Sequence, residues 1–325
     1  MDETPLVSVI IPVRNEAPSL EATINSILNQ DYRGEIEVVV ADGMSTDGTR
    51  ELLDQIHSQH KSVRYVDNPS GRTPNGLNIA ITASRGQILV RCDGHAELPG
   101  NYVRAAVALI NETGAVNVGG LQRAVGTTPM QRAIAYAMTS RIGVGDARFR
   151  YGGAPGPVDT VYLGVFRRDA LVDVGMFDEE LTRNQDYELN IRLRAAGGTV
   201  WFDPALEVVY RPRRSLGALW RQYFQYGTWK RRVIRMHPES TRLRQLVPPL
   251  FILGLLVSAV LAAFGAWTLA LMTPLAYLTL LTAATVLQLV TRRDPAALLF
   301  PAAVATMHTS WGIGFLAGSQ LIKPA

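Results

Sequence analysis

The most restrictive feature of this sequence is where its charges stop. From Leu246 to Ala325 only Arg292, Arg293, Asp294 and Lys323 are charged; every other charged residue, from a total of 32 basic and 28 acidic, lies upstream. The tail holds three uncharged runs, 247–263, 267–290 (with Pro274 and Gln288 inside it) and 295–318. Each is near the roughly 20 residues a helix needs to cross the hydrocarbon layer. A buried helical hairpin of a soluble protein is the alternative, but three such runs in so short a tail have little else to pack against. The chain is therefore expected to be a charged globular part followed by a membrane-spanning one, with the 47% hydrophobic content weighted to the tail.

Lys and Arg placement predicts the orientation. Arg211 to Arg244 holds ten basic residues and one acid, Glu239, and abuts the first run. The link around Gly265 is uncharged, and the link between the second and third runs reads TRRD. Three spans then put both basic links on the cytoplasmic side. The net charge of +4 reflects this collar, which suits anionic lipid. With no zinc-finger spacing or RNP motif, no nucleic-acid partner is expected. A transporter is disfavoured, because His308 is the lone ionisable residue inside the runs. The N-terminal MDETPLVSVIIP is acidic with a short apolar run, so no signal peptide is expected there. A single cysteine, Cys92, excludes an internal disulfide, fits a reducing compartment, and reads as a small buried residue.

The first 95 residues alternate between buried-strand and helix patterns. Val7–Pro12 is an apolar run stopped by proline, as in a strand covered on both faces. Leu20, Ile24, Ile27 and Leu28 mark a helix with Ser19 as cap. Glu37–Ala41 is a second strand, TRELLDQIHS a helix and VRYVDN a third strand. A helix capped by Thr73, with Pro74 in its first turn, runs to Ser84, and Gln87–Arg91 is a fourth strand. This β-α-β-α-β-α-β order predicts an α/β fold with a parallel, doubly wound sheet, whose ligands bind beyond the carboxyl ends of the strands. Arg14, Asn15 and Glu16 follow strand one, Asp42 follows strand two, and Asp93 and His95 follow strand four. The first turn, IPVRNEAPS, lacks the glycines of a dinucleotide fingerprint. Residues 140–158, with GVGD and YGGAPGP, read as a long loop: a lid, an acceptor loop or an irregular excursion.

Two constellations carry chemistry. Asp93-x-His95 at a strand end could hold a divalent cation, Mn²⁺ or Mg²⁺, with substrate oxygens completing its shell; a turn aspartate beside a surface histidine is the plainer alternative. In RNQDYELNIRLRAAGG, Thr182 and Gln185 could form a capping box, with Asn184 another possible cap. Leu189, Leu193 and Ala196 would face the core. Asp186 and Glu188 in the first turn either complement the helix dipole or place a general base on a rigid element.

The ordered motifs VSVIIPVRNE, VVVADGMSTDGT, VRCDGH, VYLGVFRRDALVDVGMFDEEL and NQDYELNIRLRAAGG resemble those of family 2 glycosyltransferases, over roughly residues 6 to 230. With the DGH form and the apolar tail, the chain is similar to succinoglycan-type membrane-bound glucosyltransferases. The resemblance implies an A-type glycosyltransferase fold and inverting, metal-dependent sugar transfer. A cytoplasmic catalytic domain over 1–210 would precede a basic amphipathic juxtamembrane segment, 211–245, and about three transmembrane helices in 246–325. Asp186 would be the catalytic base, while Asp93 and His95 would ligate the cation in place of the family's Asp-x-Asp. Pro12, Glu16, Asp42, Arg72, Asp93 and Trp229 would contact substrate, Asp42 at the nucleotide base and Glu16 near the nucleoside. Arg72 is equally readable as a solvated loop residue, and Trp229 as an interfacial anchor. Q-x-x-T-W at Gln225–Trp229, with Thr228 where polysaccharide synthases carry Arg, argues against a processive synthase.

The expected partners are a nucleoside-diphosphate sugar, a polyprenyl-diphosphate-linked saccharide and the inner membrane, in exopolysaccharide or cell-envelope glycan synthesis. The alternatives are a polyprenyl-phosphate glycosyltransferase and a non-catalytic nucleotide-sugar-binding subunit.

Overall fold

The structure, a computed structural model, describes residues 4–318; Lys323 lies outside them. The chain divides into two compact units. One comprises the described residues up to Arg123 together with Gly152–Val209; the other comprises Ala124–Tyr151 and those from Tyr210 onward. The segment Ala124–Tyr151 thus groups with the apolar tail, although it lies inside the 1–210 span that the sequence motifs delimit.

The first unit opens with β1 (Val7–Val13), α1 (Ala17–Leu28), β2 (Ile36–Asp42), α2 (Thr49–Gln59), β3 (Val63–Asp67), α3 (Thr73–Ala83), β4 (Ile88–Arg91), α4 (Tyr102–Thr113) and β5 (Asn117–Ala124). β1, β2, β3 and β4 pair in parallel in the order β3-β2-β1-β4, as the alternation predicts.

Proline does not stop the first strand. Pro12 lies within β1, in register with Ala41. The Val13 carbonyl accepts from Gly43 N on the β2 side, and the Ile10 carbonyl accepts from Cys92 N on the β4 side. Strand alternation gives Pro12 the same side as Ile10, where β4 has already ended at Arg91, so its missing N–H leaves no ladder bond unmade.

Ser19 does not cap α1: the cap position is Glu16, and Ser19 sits in the first turn, bonded back to Glu16. Thr73 likewise lies inside α3, with Arg72 at the cap.

After the short helices α5 (Pro129–Met138), α6 (Arg141–Val144) and α7 (Arg148–Tyr151), the chain re-enters the first unit. It continues through β6 (Gly156–Pro157), β7 (Tyr162–Arg167), α8 (Arg168–Asp173), α9 (Gln185–Ala195) and β8 (Val200–Tyr210). β7 pairs antiparallel with β4 and with β5, extending the sheet to eight strands.

Alternate residues of the central strands point to opposite faces. Val7, Val9 and Ile11 pack with Leu20 and Ile24 of α1, Leu53 of α2 and Val103 of α4. Ile10, Val39 and Leu89 pack with Leu77 of α3 and with Leu189 and Leu193 of α9. Each face is buried, which is why these strands read as continuous apolar runs. Ala196, expected in the core stripe of α9, is its exposed C-terminal cap, and Gly197 follows with φ +86°.

The second unit adds α10 (Leu216–Met236), α11 (Leu243–Ala263), α12 (Trp267–Arg292) and α13 (Phe300–Ala317). Three helical segments, Leu243–Ala263, Trp267–Arg292 and Pro295–Ala317, are long and apolar enough to cross a membrane. Leu250, Leu256, Val260, Leu278 and Leu287 face outward on them, as suits lipid.

The expected loop at 140–158 is largely structured. Ser140 caps α6 through its hydroxyl, the Arg141 guanidinium lies 5.3 Å from the Tyr151 ring centroid, and Arg244 pairs with Asp146. Asp294 in the TRRD link accepts from Arg132 Nε (2.8 Å), from the Tyr136 hydroxyl and from its own Ala296 N–H (2.9 Å).

Candidate active site

The carboxyl ends of β2, β1 and β4 lie side by side, so their exits share one rim, about 10 Å across at the ordinary strand spacing. Side chains knit the first two exits together. Asn15 N donates to Ser45 Oγ (2.8 Å), and Thr46 N to Asn15 Oδ1 (2.9 Å). Glu16 N donates to Thr49 Oγ1 (3.0 Å), and Ala17 N to Asp47 Oδ2 (3.2 Å). Asn15 (φ 58°) and Met44 (φ 58°) sit in the left-handed region. Asparagine tolerates that conformation, whereas Met44 is strained there, as residues at ligand sites often are.

The turn after β4 explains the glycine between Asp93 and His95. A Cβ at Gly94 would stand 2.8 Å from Val13 Cγ1 and 3.2 Å from Glu16 Cγ, so only glycine lets this turn lie against the β1 exit. The Gly94 carbonyl accepts from Ser19 Oγ (3.2 Å) and Thr23 Oγ1 (3.1 Å), which fixes the turn to α1. This is the work Ser19 does in place of capping. Cys92 is fully buried, and burial pushes its thiol well above the usual range.

Arg91 ends β4 with its side chain 6% exposed and bridges two carboxylates. Its NH2 lies 3.2 Å from Asp93 Oδ1, and its NH1 pairs with Asp186 Oδ1. Burial works against the guanidinium's charge, but Asp186 and Asp93 outweigh it and hold Arg91 above its ordinary range. Burial pushes the Asp186 carboxyl upward; Arg91 opposes that shift and Asp93 adds to it. About a third of the Asp186 side chain remains accessible.

Asp186 lies in the first turn of α9, whose cap, Asn184, has φ 62° and makes no side-chain capping bond, so the Thr182–Gln185 capping box does not form. Glu188 is buried and pairs with Arg192 at 2.7 Å, a structural role. Asp93 and Asp186, far apart in sequence, both pair with Arg91, a residue that the sequence motifs do not single out. Its signal was a charge at the last position of an otherwise apolar strand.

His95 Nδ1 lies 3.3 Å from Glu16 Oε1. That hydrogen bond holds the Glu16 carboxyl below its usual range, against a smaller opposing effect of burial. Among the described residues no three His, Cys, Asp or Glu side chains assemble into a metal cage. The donors present are one carboxylate and one imidazole, the latter oriented by a second carboxylate. That set fits a divalent cation whose shell substrate oxygens complete.

Asp42 has no exposed surface. It accepts from Ser45 N (3.2 Å) and Arg50 NH1 (3.2 Å), and Arg50 also pairs with Asp67 (2.8 Å). It lies on the rim and holds the β2 turn. Pro12 is partly exposed near the neighbouring exit of β1. Arg72 caps α3, its N–H donating to Ser70 Oγ (3.1 Å) and its carbonyl accepting from Asn68 Nδ2 (3.0 Å).

Trp229 belongs to the second unit and is only 8% exposed, with the Arg232 guanidinium 5.7 Å from its ring centroid. Little of its ring is open for a sugar. Trp220 on the same helix is 38% exposed and lines an open cleft with Arg221, Phe224 and Gln225. Thr228 is buried, and its hydroxyl donates to the Phe224 (2.9 Å) and Gly314 (3.1 Å) carbonyls. Gly227 and Gly314 let the α10 and α13 backbones touch. That contact has no room for the arginine of the Q-x-x-R-W pattern.

Comparison with known proteins gives the family and the fold. The model of glycosyl transferase family 2 matches residues 8–175, which include Asp93 and His95 and stop short of Asp186. The chain is 31% identical to the succinoglycan biosynthesis protein ExoA of Rhizobium meliloti over 317 residues, 94% of this chain and 93% of that one. It is 24% identical over 238 residues (70% of this chain, 74% of the relative) to a Methanococcus voltae dolichyl N-acetyl-alpha-D-glucosaminyl phosphate diacetamido-dideoxy-glucuronosyltransferase. In fold it is similar to the mannosyltransferase PcManGT of Pyrobaculum calidifontis, solved with GDP-mannose and Mn²⁺. The TM-score is 0.66 at 20% identity, covering 97% of this chain and 88% of that one. The chain has the A-type glycosyltransferase fold and belongs to glycosyl transferase family 2.

Proposed function

We propose that this protein transfers a sugar, with inversion, from a nucleoside-diphosphate sugar to a lipid-linked saccharide at the cytoplasmic face of the inner membrane. The product would be an exopolysaccharide or cell-envelope glycan. The observation that carries this reading is the meeting of Asp93 and Asp186 on one buried arginine at the rim where α/β sheets bind ligands. The ExoA similarity along nearly the whole chain supports the polysaccharide context, and the three apolar segments support a lipid-bound acceptor. The basic stretch from Arg211 to Arg244 supports a cytoplasmic orientation.

Each residue then has a task. Asp93 and His95 would hold a divalent cation, which when bound would supply Lewis-acid stabilisation of the departing diphosphate. Glu16 orients the His95 ring. Asp42, through Ser45 N, shapes the turn that receives the nucleotide. Arg72 and Pro12 lie at neighbouring strand and helix ends on the donor side.

Asp186 takes the proton of the acceptor hydroxyl as that oxygen bonds to the anomeric carbon and the bond to the diphosphate oxygen breaks on the opposite face. An upward-shifted carboxyl suits this task. Arg91 occupies Oδ1, and Oδ2 lies outside the ion pair to receive the proton.

The test is to incubate the purified full-length protein with a panel of nucleoside-diphosphate sugars, offering a polyprenyl-diphosphate-linked saccharide and, separately, bare polyprenyl phosphate. The expected product is an extended saccharide with the opposite anomeric configuration to the donor. Product on the bare lipid phosphate alone contradicts the assigned acceptor. Tight nucleotide binding without any product marks a non-catalytic subunit.

A further inference from the structure

Arg91 is not what a strand end in this position needs for folding. Ile88, Leu89 and Val90 before it are buried and apolar. A buried guanidinium must give up its hydration, and an apolar residue of similar size serves packing at least as well. Among the described residues its Nε is buried without a partner, so the two terminal nitrogens carry its interactions. The guanidinium carbon lies 5.9 Å from the centroid of Phe177, a buried ring that limits where the group can move. Both of its ion pairs go to rim carboxylates: one two residues away on the DGH turn, the other 95 residues away on α9.

We propose that Arg91 is the positioning residue of the active site, a single planar fork that sets the base Asp186 and the donor-side Asp93 in one geometry. The inference rests on Asp186 being the base, as proposed above. A guanidinium can direct separate N–H groups at two carboxylates at once, whereas an ammonium is a point charge on a flexible stem. Each carboxylate is held through Oδ1, with Oδ2 outside the ion pair. Reaction within a bound complex is steep in such placement: an error of about 1 Å costs about 10²-fold in rate. The same residue therefore ties donor-side and acceptor-side geometry together, through direct contact and without a moving part.

The test is a double-mutant cycle in the full-length protein, using Arg91→Gln, Arg91→Lys, Asp186→Asn and the Arg91→Gln/Asp186→Asn pair. The turnover number, the KM for donor and the melting temperature are measured for each. Arg91→Gln is expected to lower turnover about 10²-fold, with a much smaller change in donor KM. Arg91→Lys should recover only part of that loss. The paired variant should fall within about threefold of Asp186→Asn alone, because a misplaced base costs nothing once the base is gone. If the two losses multiply in full, or if Arg91→Gln keeps wild-type turnover, the positioning role is overturned. Should Arg91→Gln fail to fold, Arg91→Lys decides: wild-type turnover in that variant overturns the role equally. Failure of the underlying reading looks different, since Asp186→Asn alone would then turn over at the wild-type rate.

Discussion

Arg91 and Asp186 are 95 positions apart in the chain and share an ion pair whose arginine is buried, one residue ending a central strand and the other opening a helix. The pair places a carboxylate of the last helix in the first unit beside the DGH turn. It also gives that turn a neighbour that no local sequence pattern supplies.

The proposed cation site should depend on a residue outside its proposed ligands. Glu16 holds His95 through Nδ1, and loss of such an orienting partner typically costs 10–100-fold in metal affinity, about 10-fold at the least. Glu16→Gln should therefore weaken Mn²⁺ binding about 10-fold in the presence of nucleoside diphosphate, and His95→Ala should weaken it further. Calorimetric titration reads both. Unchanged affinity in His95→Ala removes that residue from the ligand set.

The glycine of the DGH turn should tolerate nothing larger. Gly94→Ala drives a methyl group into Val13 and Glu16. Overpacking of this kind costs about 1–3 kcal/mol, and here it also pushes Asp93 and His95 off the β1 exit. Expected are a lower melting temperature together with weaker Mn²⁺ binding; loss of neither contradicts the close approach.

Glu37, at the amino end of the internal strand β2 and away from the rim, makes a pH-dependent contribution to stability. Burial raises its pKa, but Ser8 Oγ (2.7 Å), the Arg85 N–H and Arg64 (3.3 Å) outweigh burial and hold the carboxyl below 4.5. A depressed folded-state value means that the stabilisation is present above the unfolded value near 4.5 and disappears as pH falls through the folded one. Glu37→Gln should cost about 1–3 kcal/mol at neutral pH and show a flatter acid limb. Melting curves from pH 7 down to about 3 check this, and parallel limbs would contradict it.

Thr228→Arg, which restores the synthase-like Q-x-x-R-W, should destabilise the helical unit rather than confer processivity. Thr228 is 4% exposed and its hydroxyl bonds Gly314. An arginine there breaks the α10–α13 contact at a cost of about 1–3 kcal/mol or more. A lower melting temperature in detergent, without longer products, is the expected result.

The sequence shows the parallel half of the sheet plainly, because each central strand is an apolar run and each strand exit ends in Asp, Glu or His. It shows the tail as membrane-like for the same reason: an absence of charge is visible at any range. What stays hidden is whatever depends on the neighbour across the sheet. Pro12 continues its strand because β4 ends early on its side, and Ser19 leaves its cap role for a carbonyl 75 residues away. Residues 124–151 group with the helical unit through contacts such as Arg132–Asp294. Trp229 reads in the sequence as either a substrate contact or an interfacial anchor, and its side chain is almost covered. Arg91 is the clearest case, since neither of its roles can be seen without α9.

The most direct test of the account is the turnover of Asp186→Asn with the donor dissociation constant measured alongside. Turnover is expected to fall about 10²–10⁴-fold with donor binding nearly unchanged, because the proposed task of Asp186 is on the acceptor hydroxyl. Wild-type turnover in this variant contradicts the account.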